Sequence, residues 1–336
     1  MAFLALGLVL LYFAFRGIDF SEMKGIFQGT KYGWLILSLI FSILALVSRA
    51  RRWILIIQPL KYNPSLWNTF NAVTFGYLAN YAFPRLGEVS KCVALGRKEK
   101  IPVDSLIGTV IVERALDLFM AILIMVFLLI ARFEKFGAFF KEFLFDPMGN
   151  KISSGVSGAW LILLIIGVLG LLALVLLYIY RKRLYKFKLV KKFSDIVKGV
   201  IVGLKTVMKL ERKWEFIFHT LFMWLCYALM TWVVVFALPG ITDSLNFVDA
   251  IFLLVVGSMG MVVPVNAGIG AFHWIVSRGL HFVYGLELSE GLVFATLQHE
   301  SQTLLILVLG SIAMFFIFRK NRNRNNPEKT ATSETS

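Results

Sequence analysis

Glu113, Arg114 and Asp117 lie within one long apolar stretch, and Arg85 and Glu88 stand at a break in another. Glu113 and Asp117 are four residues apart, which puts both carboxylates on one face of a helix, while Arg114, three before Asp117, can pair with it. Each such charge at a helix centre costs roughly 2.5–3.5 kcal/mol on insertion, so these residues are expected to face a polar interior together with the Arg85 and Glu88 tip. Three uses are open to them: contact with a charged substrate, proton abstraction by Glu113 or Asp117, or an ion-pair network that only closes a helix bundle.

The break that presents Arg85 and Glu88 has a local cause. Proline lacks an amide hydrogen and disfavours helix in the residue before it, so a helix over 66–83 should end ahead of Pro84. Gly87 then permits a tight reversal. Lipid tolerates no free backbone polar groups, so the break reads as the tip of a re-entrant segment beside a polar cavity, the alternative being an ordinary cytoplasmic turn. A second interruption follows the apolar run 250–263, where Pro264, Asn266, Gly268 and Gly270 precede a resumed stretch over 272–284.

These elements must sit in a bilayer. The chain is 58% hydrophobic and 16% charged, with a mean hydropathy of +0.77, and several stretches reach the about 20 apolar residues that a crossing needs. The formal charge of +15 does not indicate nucleic acid, because the cations flank apolar runs and fill one loop, as positive-inside anchors do. Cys92 and Cys226 are too few and too far apart for a disulfide framework or metal cluster. No nucleotide motif or filter-like repeat appears, so no cofactor, no metal and no ordinary ion channel is expected.

Taken in order, full spans are expected over 2–15, from 34 into the Arg49 to Trp53 cluster, and over 105–131, 159–180, 216–238 and 292–318. The first, without preceding cations or a cleavage site, reads as a retained helix rather than a signal peptide. Arg49, Arg51 and Arg52 are expected at lipid phosphates, or as snorkelling anchors, with Trp34 and Trp53 at interfaces. Phe136, Phe139, Phe140 and Phe143 at helical spacing predict a helix lying along the membrane surface. The loop 181–213 is the most basic of the chain and carries an apolar stripe opposite its lysines, so it should lie on the anionic cytoplasmic leaflet. A tail over 319–336 should be disordered and cytoplasmic.

With that loop inside, the order of span, span, broken element, span occurs twice. The fold expected is thus an all-α membrane bundle of about six full spans plus two re-entrant broken elements, or alternatively eight spans. Its halves, about 2–131 and 159–318 within one transmembrane domain over 1–318, form an inverted repeat, both termini being cytoplasmic at the plasma membrane. Gly76, Pro84 and Gly87 are echoed by Gly257, Pro264 and Gly268. Against this stands the first loop, placed outside although Arg16, Lys24 and Lys31 make it mildly cationic.

From about residue 30 to 320 the chain resembles the flippase-like transmembrane domain of lysylphosphatidylglycerol synthases and their stand-alone relatives. The resemblance rests on Arg51, Arg52 and Trp53; on Pro84, Arg85, Gly87 and Glu88 with Lys91; on Glu113 and Arg114 with Asp117; and on the break from Pro264 to Gly270. The family's second break is usually richer in proline and glycine and closes with a glutamate. Here Asn266, Ala267 and then His273 stand there, an imidazole replacing a fixed anion, so substrate or coupling should differ. The synthases' soluble aminoacyl-transferase domain is not expected after Phe318.

The resemblance implies movement of a phospholipid or polyprenyl-phosphate-linked lipid between leaflets. On that reading Arg85 binds phosphate, Glu88, Glu113 and Asp117 orient Arg85 and Arg114 or bind a cationic headgroup, and Arg52 and Asn266 complete the path. His273 and the His299–Glu300 pair serve the outer half. A lipid-modifying enzyme is the implied partner. The rivals are a headgroup transferase using Glu113 or Asp117 as base, and a scaffold subunit.

Overall fold

The computed structural model describes residues 2–16, 18, 20–83, 86–140, 208–242 and 245–319. The readings for Pro84 and Arg85, for the span 159–180, for 181–207 of the basic loop and for the tail beyond Arg319 lie outside the described residues.

Among the described residues the chain is all-helical: α1 (Ala2–Phe15), α2 (Phe20–Gln28), α3 (Gly33–Ile57), α4 (Leu66–Ala82), α5 (Gly87–Glu99), α6 (Val103–Ala131), α7 (Phe133–Phe140), α8 (Lys213–Val235), α9 (Pro239–Thr242), α10 (Phe247–Val262), α11 (Ala271–Tyr284) and α12 (Leu288–Phe318). Four of these, α3, α6, α8 and α12, are long and apolar enough to cross a membrane. Their outer faces carry Ile40, Ile122, Leu221 and Val308 exposed, as lipid-facing surfaces require. With 14 residues, α1 rises only about 21 Å, shorter than a hydrocarbon core.

Both breaks have the backbone that proline imposes on its predecessor. Phe83 (φ −141°, ψ 119°) ends α4 and Val263 (φ −58°, ψ 134°) ends α10, each extended. After Pro264 a single 3₁₀ turn, Asn266–Gly268, contains Ala267 at φ 49°, and Gly268 and Gly270 both take φ 80°, a region that disfavours a side chain. Asn266 Nδ2 donates to the carbonyls of Tyr81 (2.9 Å) and Ala82 (3.4 Å), so the two breaks touch.

Gly87 has a different role from the one its sequence suggests. It lies in α5 rather than in the reversal, and its amide is capped by Asn80 Oδ1 at 2.8 Å. What it supplies is closeness, because α4 and α5 cross with Gly76 against Gly87. A methyl on Gly76 would meet the Gly87 carbonyl oxygen at 2.7 Å and Lys91 Cβ at 2.9 Å. Gly76→Ala is therefore expected to destabilise the protein by about 1–3 kcal/mol, the usual cost of overpacking, read as a lowered melting temperature in detergent.

Two further expectations are corrected. The α3 helix does not end at a cationic boundary: it runs on to Ile57, with Arg49, Arg52 and Trp53 buried. Nor do the described phenylalanines of the expected stripe on α7 face lipid; the Phe140 side chain and Phe143 lie outside the described residues. Phe136 and Phe139 are fully buried, and Phe136 stacks on Phe252 of α10 at 4.4 Å.

Apolar packing gathers into two main cores. One holds Phe136, Phe252 and Phe294 from α7, α10 and α12; the other holds Trp53, Leu95 and Leu106 from α3, α5 and α6.

Candidate functional site

Between these cores lies a cavity of about 630 Å³, whose wall takes Leu46 and Ile306 from one core and Leu253 and Phe272 from the other. Glu88, Arg49, Arg114 and Asp117 line it, as do Tyr77 and Tyr227. So do Pro264 and Gly268 of the second break.

The cluster behind that wall follows from helical spacing. On α3, Arg49 and Arg52 are three residues apart and share a face, while Arg51 points elsewhere and pairs with Glu215 at 2.6 Å. On α6, Glu113 and Asp117 share the facing side. Arg49 Nη1 donates to Glu113 Oε1 (2.7 Å) and to Asp117 Oδ2 (3.2 Å). Arg52 Nη2 donates to Asp117 Oδ1 (2.6 Å) and stands 3.4 Å from Glu113 Oε1. From α5, Lys91 Nζ reaches Glu113 Oε2 at 2.6 Å and sits 4.5 Å from the Trp53 ring. Arg114 Nη2 completes the set at 3.0 Å from Glu113 and 3.2 Å from Asp117.

Layering separates support from surface. Glu113 and Arg52 are fully buried and Lys91 nearly so. Arg114 is 43% exposed and Glu88 37%, with 3.9 Å between them. Arg52 and Glu113, expected on the headgroup path, are enclosed behind the residues that line the cavity, where Glu113 meets Arg114 as the orienting role requires. Four cations (the buried Arg49, Arg52 and Lys91 and the exposed Arg114) meet two carboxylates, and among the described residues Glu88 at the margin adds a third. The surplus is positive. Arg49 also donates to the Tyr227 hydroxyl at 3.1 and 3.2 Å, whereas among the described residues Arg114 Nη1 has the long 3.9 Å contact to Glu88.

On α12 and the second break a separate group forms. His299 Nδ1 is 2.9 Å from Glu300 Oε1, His299 Nε2 is 2.9 Å from the Ala267 carbonyl, and His273 Nε2 is 3.5 Å from the same Glu300 oxygen. His299 lines the cavity. Asn266 serves the contact between the breaks described above.

Sequence reasoning missed the inward role of Arg49 and the part played by Lys91, Tyr77 and Tyr227. One signal was present: the three-residue spacing of Arg49 and Arg52 matches the four-residue spacing of Glu113 and Asp117 on a second apolar helix.

Over residues 1–310 the chain matches the family described as the lysylphosphatidylglycerol synthase TM region. It is 32% identical over 112 residues to a UPF0104 membrane protein of Methanocaldococcus jannaschii; the match covers 32% of this chain and 33% of that relative, about a third of its length. No solved structure matches the chain.

Proposed function

The chain belongs to the lysylphosphatidylglycerol synthase TM region family, and from that premise we propose that this multi-pass membrane protein moves a phosphate-bearing lipid headgroup between leaflets. The observation that carries the reading is the surplus of buried positive charge opening, through Arg114 and Arg49, onto a 630 Å³ cavity where two broken helices meet. A phosphate loses its hydration in hydrocarbon at great cost, and a guanidinium offers paired donors that replace part of that shell. The acyl chains stay in lipid while the headgroup crosses a short polar path. Transporter folds line their routes with such broken helices.

The finer features of the reading are six full spans, halves over 2–131 and 159–318 of opposite orientation, the loop 181–213 on the anionic cytoplasmic leaflet, and a plasma-membrane location with both termini inside. Arg85, adjacent to the described tip, is a second phosphate-binding cation in this scheme. A lipid-modifying enzyme would supply the cargo. The transferase alternative is less well supported by the geometry, because Glu113 and Asp117 each face several cations at hydrogen-bond distance and have little capacity left to take a proton.

Reconstitution into liposomes with a panel of labelled lipids, including aminoacylated phosphatidylglycerol and polyprenyl phosphates, tests the proposal. At least one lipid should exchange between leaflets faster than in protein-free vesicles. No acceleration for any of them would sink the reading.

A further inference from the structure

The His299–Glu300 pair poses a problem of hydrogen counting. A peptide carbonyl only accepts, so the 2.9 Å contact from His299 Nε2 to the Ala267 oxygen puts a hydrogen on Nε2. A neutral imidazole then has a bare lone pair on Nδ1. Yet Nδ1 stands 2.9 Å from Glu300 Oε1, which as a carboxylate oxygen also only accepts. Two lone pairs at that distance repel; one proton between them makes the contact a hydrogen bond. The pair therefore holds one proton more than a neutral imidazole and a free carboxylate, whichever atom carries it.

The surroundings suit a proton that comes and goes. His273, 2% exposed, points Nε2 at the same Glu300 oxygen from 3.5 Å, and its buried Nδ1 has no hydrogen-bond partner among the described residues. A second imidazole thus faces the same carboxylate oxygen. Among the described residues Tyr81 on α4 also stands in the field of Glu300, and its hydroxyl donates to Thr303 at 3.1 Å. Gln298 and Gln302 of α12 bond Thr231 of α8 and Ser38 of α3, so those helices present neutral groups there. His299 is on the cavity wall, and Glu300 beside it keeps 46% of its side chain exposed.

We propose that His299, Glu300 and His273 form a proton-binding site on the wall of the headgroup cavity, and that its loading is coupled to occupation of that cavity by an anionic headgroup. The coupling rests on the function proposed above. Its sign follows from charge. The pair is neutral with its proton and carries one negative charge without it, so a phosphate beside it favours the loaded form, and by reciprocity the loaded form favours phosphate. Proton and anionic lipid then travel together. One proton per lipid makes a gradient of one pH unit equivalent to about a tenfold bias between leaflets.

The experiment has two arms. In nanodiscs, difference titration of wild type against the double variant His299→Gln, Glu300→Gln, which has neither titrating group of the pair, should show one extra proton released by wild type above pH about 5, beyond the range of an ordinary carboxylate. Glutamine keeps a donor and an acceptor at both positions and so spares the packing. Equal release by the two proteins overturns the site. In liposomes clamped at zero potential, fluorescent phosphatidylglycerol should accumulate in the leaflet facing the alkaline side, up to about tenfold per pH unit, with the bias lost in Glu300→Gln. Lipid that moves but distributes evenly in wild type, or is biased equally in the variant, overturns the coupling and leaves the transport reading standing. If no lipid moves, the transport reading and the coupling fall together, and the titration alone decides the site.

Discussion

Glu113→Gln is expected to be the most damaging single change in the protein, costing about 3–5 kcal/mol of stability. The carboxylate of Glu113 accepts from Lys91 (2.6 Å), Arg49 (2.7 Å) and Arg114 (3.0 Å), with Arg52 at 3.4 Å, and it is fully buried. Glutamine keeps the shape and removes the charge, leaving Asp117, among the described residues, as the remaining anion inside the cluster of four cations. A buried ion pair is weak evidence for stability as a pair, but breaking one strands its partners. Thermal unfolding in detergent and the yield of monodisperse protein are the readouts. The double variant Glu113→Gln, Lys91→Met should recover part of the loss, because these residues share one contact and their effects will not add. A wild-type melting temperature for Glu113→Gln would remove the electrostatic account of the bundle.

Arg114→Gln should behave in the opposite way, with folding intact and transport lost. Its guanidinium is 43% exposed to the cavity side, and the acids it touches keep Arg49, Arg52 and Lys91. Stability should change little. Loss of a charged hydrogen bond to a phosphate is worth about 1.5–3 kcal/mol, so the rate of leaflet exchange in liposomes should fall roughly 10- to 100-fold. A scaffold role predicts the reverse pattern, with damage to folding and none specific to lipid movement. An Arg114→Gln protein that moves lipid at the wild-type rate would take the phosphate contact away from this residue.

Both breaks were legible because proline acts locally: Phe83 and Val263 are extended, as the residue before a proline must be. The shared face of Glu113 and Asp117 was legible for the same reason, since helical spacing needs no tertiary information. Arg49 and Arg52 were misread because a run of arginines beside a tryptophan looks like a membrane boundary unless its carboxylate partners, sixty residues onward, are known to be adjacent. Phe136 and Phe139 were misread likewise. A stripe of phenylalanines has the same periodicity whether it meets lipid or the Phe252 ring. Gly87 shows a third kind of miss, where a glycine expected to bend the chain instead lets another backbone approach.

That close approach limits how the route can open. With Gly76 and Gly87 in contact, α4 and α5 have no slack to slide or splay within their own hairpin. Any rearrangement that turns the cavity from one leaflet to the other must tilt the hairpin as a single rigid lever. The Asn266 grip on Tyr81 and Ala82 would then be the joint that parts first, since among the described residues it is the side-chain bond tying that lever to the opposite hairpin.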